Sequence, residues 1–236
     1  MLVLAIETST PEASVAIGSE QGIVASAVVS RGASHSEFLL PAIQFCLDQS
    51  GLGFRNLGGL AVGLGPGLFT GMRVGVATAK ALAQTLSVPI VGMPSLDLLA
   101  YGKRYSSKTI CAVIDARRGE VFSAFYRPSP GGIQRMSDYK VEKPGQLAIG
   151  IASRPEEVLL VGNGAHLYRT LFDDLGTVAE VASMNHAFPS ARDLVELGLP
   201  RLFREDFDSP YDLVPLYLRR SAKRIEWDRI RGSRTA

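Results

Sequence analysis

The chain has 236 residues, 46% of them hydrophobic and 20% charged, with a net charge of +2. That composition supports a sizeable core and excludes wholesale disorder, and the length suits one large domain or two small lobes. No apolar run approaches the ~18 residues of a membrane span, and Met1 to Glu7 has neither the basic region nor the cleavage site of a signal peptide, so a cytoplasmic protein is expected.

The charge is unevenly spread. Residues 219–236 hold Arg219, Arg220, Lys223, Arg224, Arg229, Arg231 and Arg234 against Glu226 and Asp228, a local +5 that leaves −3 for the remainder. A solvated tail and a contact with RNA or an acidic partner are both open at this point. Cys46 and Cys111 lie far apart in apolar surroundings and are expected to be buried free thiols in a reducing compartment.

Leu2 to Ile6 reads as a buried strand, Thr8-Ser9-Thr10-Pro11 as a turn, and Ala13 to Ile17 and Ile23 to Ser30 as two further strands. The chain thus opens as an antiparallel meander, not as a strand running straight into a helix. Ser34-His35-Ser36-Glu37 has capping-box spacing and starts a helix that Gly51 stops. Pro41 inside it is expected to kink or weaken the first turns. Phe38, Leu39, Ala42, Ile43, Phe45, Cys46 and Leu47 spread wider than one core-facing stripe, so this helix is either deeply buried or meets a partner.

Leu60 to Leu64 is the next strand. Gly65-Pro66-Gly67-Leu68-Phe69-Thr70-Gly71-Met72-Arg73 follows and opens a helix over about 70–86. Strand, glycine-rich turn and helix make either an anion cradle or a tight turn that lets the helix pack closely on a sheet. The spacing fails two phosphate patterns: Lys80 lies nine residues beyond Gly71, and Thr70 stands where a dinucleotide fingerprint needs its third glycine. On the helix, Gly71, Gly75, Ala79 and Ala83 recur every four residues as a smooth ridge that permits close approach of another helix. Glycine at 75 costs about 1 kcal/mol against alanine, so close packing must compensate.

Val88 to Gly92 reads as a strand and Pro94 to about Tyr105 as a short helix. Thr109 to Ile114, the polar turn Asp115 to Glu120, and Val121 to Tyr126 repeat the opening pattern of strand, turn, strand. Residues 127–158 look loop-heavy. Val158 to Val161 is a buried strand, helices are expected near 165–173 and 190–205, and Pro215 to Arg219 closes the ordered part. Two similar openings, each followed by helices, suggest a duplicated α/β lobe.

Reactive chemistry is thinly supported. His35, His166 and His186 form no pair at helical spacing, and no Gly-x-Ser-x-Gly elbow marks an activated serine. Glu7, Thr8 and Ser9 at a strand end either approach a phosphate or simply complete the turn. Asp115, Arg117 and Glu120 either bind a ligand or form an internal ion pair.

Five motifs occur in order: Leu4-Ala5-Ile6-Glu7-Thr8-Ser9, His35-Ser36-Glu37 with Leu40-Pro41, the 65–73 turn, Ile114-Asp115-Ala116-Arg117-Arg118-Gly119-Glu120-Val121, and Pro215-Leu216-Tyr217-Leu218-Arg219. Together they resemble the bacterial TsaB (YeaZ) family, over roughly residues 1–125 and 215–219. The resemblance implies an α/β, actin-like ATPase (ASKHA) fold of two lobes, each a mixed sheet with flanking helices. Its N-terminal lobe would span 1–106 with segment 207–224 packing back on it, its C-terminal lobe 107–206, and a basic tail 225–236.

It also implies a role in making N6-threonylcarbamoyladenosine at position 37 of tRNAs that read ANN codons, as a non-catalytic scaffold without cofactor or metal. The implied partners are a TsaD-like catalytic subunit and a TsaE-like ATPase, with tRNA reached only indirectly and a homodimer formed when the chain is alone. TsaD-type catalysts bind metal through a His-x-x-x-His, and the corresponding stretch here, Gly92 to Ala100, has no histidine. Pairing through the two N-lobe helices would use Phe38, Ala42, Phe45, Gly71, Gly75, Thr78, Ala79, Leu82 and Ala83. Gly75→Leu should then weaken association and leave the fold intact. The alternatives are a nucleotide-dependent phosphotransferase using the 7–9 and 65–73 turns and, more distantly, a metal-dependent peptidase.

Overall fold

A computed structural model describes residues 1–30 and 34–219. The first sheet is built by β1 (Leu2–Glu7), β2 (Ala13–Ser19), β3 (Gly22–Val29), α1 (His35–Gln49), β4 (Leu57–Gly63), α2 (Phe69–Leu86) and β5 (Ile90–Met93). Its strand order is β3-β2-β1-β4-β5, antiparallel on the β2–β3 side of β1 and parallel on the β4–β5 side. β1 lies at the centre with both faces covered, which is why its sequence is a continuous apolar run. Leu4 and Ile6 face the core under α1 and α2, whereas Val3 and Ala5, pointing the other way, face a second core.

α3 (Ser95–Tyr101) leads into the second sheet. Its elements are β6 (Thr109–Arg117), β7 (Glu120–Ser129), β8 (Gly132–Arg135), β9 (Lys140–Glu142), α4 (Pro144–Ala152), β10 (Val158–Val161), α5 (Asn163–Leu167), α6 (Arg169–Asp173) and β11 (Ala179–Val181). The order is β11-β10-β6-β7-β8, again antiparallel for the hairpin strands and parallel beyond β6. The two sheets share one topology, so the weak internal repeat of the sequence is a repeat of fold.

Three expectations are corrected. Residues 127–158 are not loop-heavy: β8 and β9 share the long β7 as partner, one along Tyr126 to Ser129 and the other along Val121 to Ser123, and α4 starts on Pro144 at its first turn. The helix expected over 165–173 breaks at Tyr168, whose φ of −112° and ψ of 29° separate α5 from α6. Ser34 makes no side-chain cap; its hydroxyl pairs with that of Ser36 at 2.6 Å.

α7 (Ala191–Phe203) falls within the 107–206 span assigned to the C-terminal lobe, yet it packs on the first sheet. Leu194, Val195, Leu199 and Leu202 meet Val3, Ala5, Ala61 and Val91 on the face opposite α1 and α2. Gly198 lets the helix settle against Ala61 and Val91, and the Ser14 hydroxyl accepts the Ala191 N–H at 2.9 Å. A sheet needs cover on both faces, and here the second cover comes from far along the chain.

Beyond α7 the chain forms a strap. Asp208 bridges to Ile90 beside β5, and its carboxylate accepts the Gly92 N–H and pairs with Arg201. Leu213 enters the core under α2, the Leu216 N–H donates to the Leu64 carbonyl, and Leu218 packs on the second sheet's core. Arg219 pairs with Glu120. Residues 220–224 and the basic tail 225–236 lie outside the described residues. Cys46 and Cys111 are buried free thiols in different cores, and burial pushes both thiols up.

Candidate partner-docking face

The β1–β2 turn carries the hydroxyls that a phosphotransferase reading would use; those of Thr8 and Thr10 are hydrogen-bonded within the chain, and the buried Ser9 hydroxyl has no partner among the described residues. Thr8, Ser9 and Thr10 are at most 1% exposed. The Thr8 hydroxyl donates to the Gly71 carbonyl at 2.8 Å, the Leu68 N–H donates to the Ser9 carbonyl at 2.6 Å, and the Thr10 hydroxyl donates to the Glu12 carbonyl. A Cβ on Gly67 would overlap the Ser9 carbonyl oxygen, and one on Gly71 the Thr8 carbonyl oxygen. The glycines therefore serve close approach of α2 to the turn. The Ser9 and Thr8 carbonyls fill the space that side chains at 67 and 71 would need.

Glu7 ties the same corner together. It is fully buried; its carboxylate accepts the Ser9 N–H at 2.6 Å and the Ser95 hydroxyl at 2.9 Å. Ser95 in turn accepts the Gly65 N–H, and its own N–H donates to the Gly65 carbonyl. Gly63 leaves the room this carboxylate occupies. Burial raises the Glu7 pKa against the pull of these hydrogen bonds.

α3 falls in the stretch from Gly92 to Ala100 that lacks a histidine. Its Asp97 accepts from the Tyr126 and Tyr139 hydroxyls at 2.7 Å each, joining α3 to β7 and to the residue before β9. His35 contacts the Thr10 carbonyl. Among the described residues no three His, Cys, Asp or Glu side chains are grouped so as to hold a metal. Asp115 and Arg117 form the internal ion pair at 3.3 Å that was one of the two readings of that turn.

The partner-binding set divides sharply. Gly71, Gly75, Ala79, Ala83 and Ala42 are buried within the chain, so the small-residue ridge is turned inward and offers no surface to another helix. A Cβ on Gly75 would overlap the Thr8 hydroxyl oxygen and approach Ile6, so Gly75→Leu attacks the fold itself, contrary to the expectation above. Phe38, Thr78 and Leu82 are half-buried, and Phe45 is 54% exposed. Leu40 and Phe69, neither of them in the expected set, are 57% and 52% exposed on α1 and at the start of α2. α1 thus buries Leu39, Ala42, Ile43, Cys46 and Leu47 while leaving Leu40 and Phe45 outside. The apolar spread of its sequence reflects both uses.

Phe69 belongs to a cluster with two distant residues. Arg73, one turn along α2, lies over its ring at 3.8 Å, and Tyr217 of the strap lies 5.6 Å from it between ring centroids. Arg73 Nε donates to the Tyr217 hydroxyl at 2.9 Å.

The family model described as TsaD, tRNA N6-adenosine threonylcarbamoyltransferase, matches residues 16–227. TsaB of Bacillus subtilis, a tRNA threonylcarbamoyladenosine biosynthesis protein, is 29% identical over 229 residues, covering 96% of this chain and 98% of that protein. YeaZ from Pseudomonas aeruginosa superposes with a TM-score of 0.79 at 26% identity, covering 92% of this chain and 99% of that one. A component of a 2-hydroxyglutaryl-CoA dehydratase from Acidaminococcus fermentans, at TM-score 0.50 and 11% identity over 87% of this chain and 99% of that one, shares the fold alone, the actin-like ATPase architecture of two mixed sheets with flanking helices. With the five sequence motifs and the duplicated sheets, these likenesses establish that the chain belongs to the TsaB (YeaZ) family, within the wider group that the TsaD model describes.

Proposed function

We propose that this chain is a non-catalytic subunit of the machinery that makes threonylcarbamoyladenosine in tRNA. It binds and stabilises a TsaD-type threonylcarbamoyltransferase that acts on adenosine 37 of tRNAs reading ANN codons, and a TsaE-type ATPase joins the pair. The carrying observation is the contrast between the inner and outer faces of α1 and α2. Their inner faces close over the β1–β2 turn, through Gly71 against Thr8 and His35 against Thr10, while their outer surfaces present Leu40, Phe45 and Phe69 to solvent and leave Phe38, Thr78 and Leu82 half-buried. Large exposed apolar side chains grouped on neighbouring helices mark a contact surface. A role on tRNA fits a cytoplasmic location. No helix among the described residues is long and apolar enough to cross a membrane.

Co-expression with the same organism's TsaD homologue tests this. The two chains should co-elute on size exclusion, and tRNA modification by the catalytic subunit should depend on this chain. Calorimetry of the isolated chain with ATP and magnesium should give no tight binding. Tight binding with turnover by this chain alone would instead favour the phosphotransferase reading.

A further inference from the structure

The exposed Phe69–Arg73–Tyr217 cluster has a chemistry that the apolar face lacks. Arg73 is exposed and, among the described residues, has no carboxylate within ion-pair distance. Its guanidinium is held nonetheless. One face lies on Phe69, Tyr217 stands 5.9 Å from it, and Nε is spent on the Tyr217 hydroxyl. The two terminal nitrogens, with four N–H groups in a planar fork, have no partner among the described residues. Phe69 and Tyr217 are themselves 52% and 44% exposed.

A free arginine side chain loses rotamer entropy on forming a contact. Here the stacking and the Nε bond have already fixed much of the side chain. A pre-fixed fork with aromatic walls is complementary to a carboxylate, which takes two parallel N–H bonds from it. Aromatic residues and arginine are also the side chains on which binding energy concentrates at protein interfaces. Phe69 and Arg73 lie on α2, one of the two helices whose exposed side chains form the proposed docking face, on the side of that helix where Lys80 holds the strap.

We infer that Arg73, clamped by Phe69 and Tyr217, is the charged anchor of the docking face and takes an aspartate or glutamate of the partner protein; this rests on the partner-binding reading above. Tyr217 belongs to the strap, which Leu213, Leu216 and the bonds from Lys80 Nζ to the Tyr211 and Leu213 carbonyls seat beside α2. The strap therefore completes the anchor, and its seating and partner binding are coupled.

The test measures affinity for the organism's own TsaD homologue, using full-length chains whose folding is checked by circular dichroism. Arg73→Gln should weaken binding about 30-fold, the scale of an interface hot spot, and should flatten the salt dependence seen with the wild type. Arg73→Lys, which keeps the charge but loses the fork and the stacking, should recover only a small part. Tyr217→Phe keeps the ring and should cost several-fold. If Arg73→Gln binds as tightly as wild type while Phe45→Glu does not bind, the face stands and the anchor is overturned. If neither changes binding, the face itself is wrong and the anchor falls with it. If the isolated wild-type chain binds tRNA, Arg73→Gln abolishes that binding and partner affinity is unchanged, the anion is an RNA phosphate and the inference fails.

Discussion

The Thr8 hydroxyl occupies the volume that a side chain on residue 75 would fill. The same hydroxyl donates to the Gly71 carbonyl one turn earlier. The helical glycine is therefore paired with a particular oxygen on the β1–β2 turn, not with a neighbouring helix.

Gly75→Ala should consequently destabilise the chain. Overpacking costs about 1–3 kcal/mol, and losing the Thr8 bond adds about 1 kcal/mol. The better helix propensity of alanine returns about 1 kcal/mol. A net loss of about 2 kcal/mol is expected in urea denaturation. Thr8→Ala removes the obstructing oxygen, so adding Gly75→Ala to it should cost almost nothing further. A coupling energy near zero in this cycle would show that the contact does not carry the cost.

Glu7 is expected to give stability a distinct pH signature. Its folded pKa is raised by burial, so the folded state holds the proton more tightly than the unfolded chain. The folded state is favoured below the unfolded pKa, and that advantage is lost as pH rises through the folded pKa. Glu7→Gln keeps the shape and cannot ionise. Its stability relative to wild type should therefore improve steadily from acid to neutral pH in paired denaturation curves. A difference that is constant with pH would mean that Glu7 ionises as readily in the fold as in the open chain.

The legible parts of this fold are those with strong local pattern. The apolar runs of β1, β4 and β10 and the glycine-rich entry to α2 can be read because each signal lies within a few residues. The four-residue ridge from Gly71 to Ala83 is equally visible, but a smooth face is the same whether a helix or a strand lies against it. Spacing alone cannot show that Thr8 and Ile6 are the neighbours. β9, of three residues, and β8, of four, are too short for any alternation to register. α7 is plainly amphipathic, yet its docking on β1 and β2 joins residues far apart in the chain, as Ser14 and Ala191 are, 177 positions from each other. The Arg73–Tyr217 bond spans 144 residues. Both ends stand in motifs that the sequence singles out, but nothing local indicates that they meet.

Exposure on α1 separates contact residues from core residues experimentally. Phe45 is 54% exposed and Ala42, three residues earlier, is 5% exposed. Phe45→Glu should leave thermal stability within about 0.5 kcal/mol of wild type and reduce co-purification of the TsaD homologue by at least about 30-fold in affinity. Ala42→Glu places an unpaired charge in the core under α1 and should prevent folding. Intact partner binding by folded Phe45→Glu would move the docking face elsewhere on the molecule.

Asp193, in the first turn of α7, is the clearest titrating group at the contact of α7 with α3. Desolvation by burial and the nearby Glu196 push its pKa up to about 6 against the attraction of Arg104, Arg192 and Lys103. The folded state therefore favours the protonated acid. Its contribution is most favourable below the unfolded pKa of 3.8 and is lost as pH rises to about 6. A shift of this size corresponds to about 2–3 kcal/mol once the group is ionised. Asp193→Asn should relieve that cost. The variant should be more stable than wild type at pH 8, by an amount approaching this figure, and the gap should close on titration toward pH 4. Urea denaturation at several pH values measures it. A gap that persists at pH 4 would mean that Asp193 ionises as readily in the fold as in the open chain, and one that widens there would mean that the carboxylate is stabilised, not penalised, where α7 meets α3.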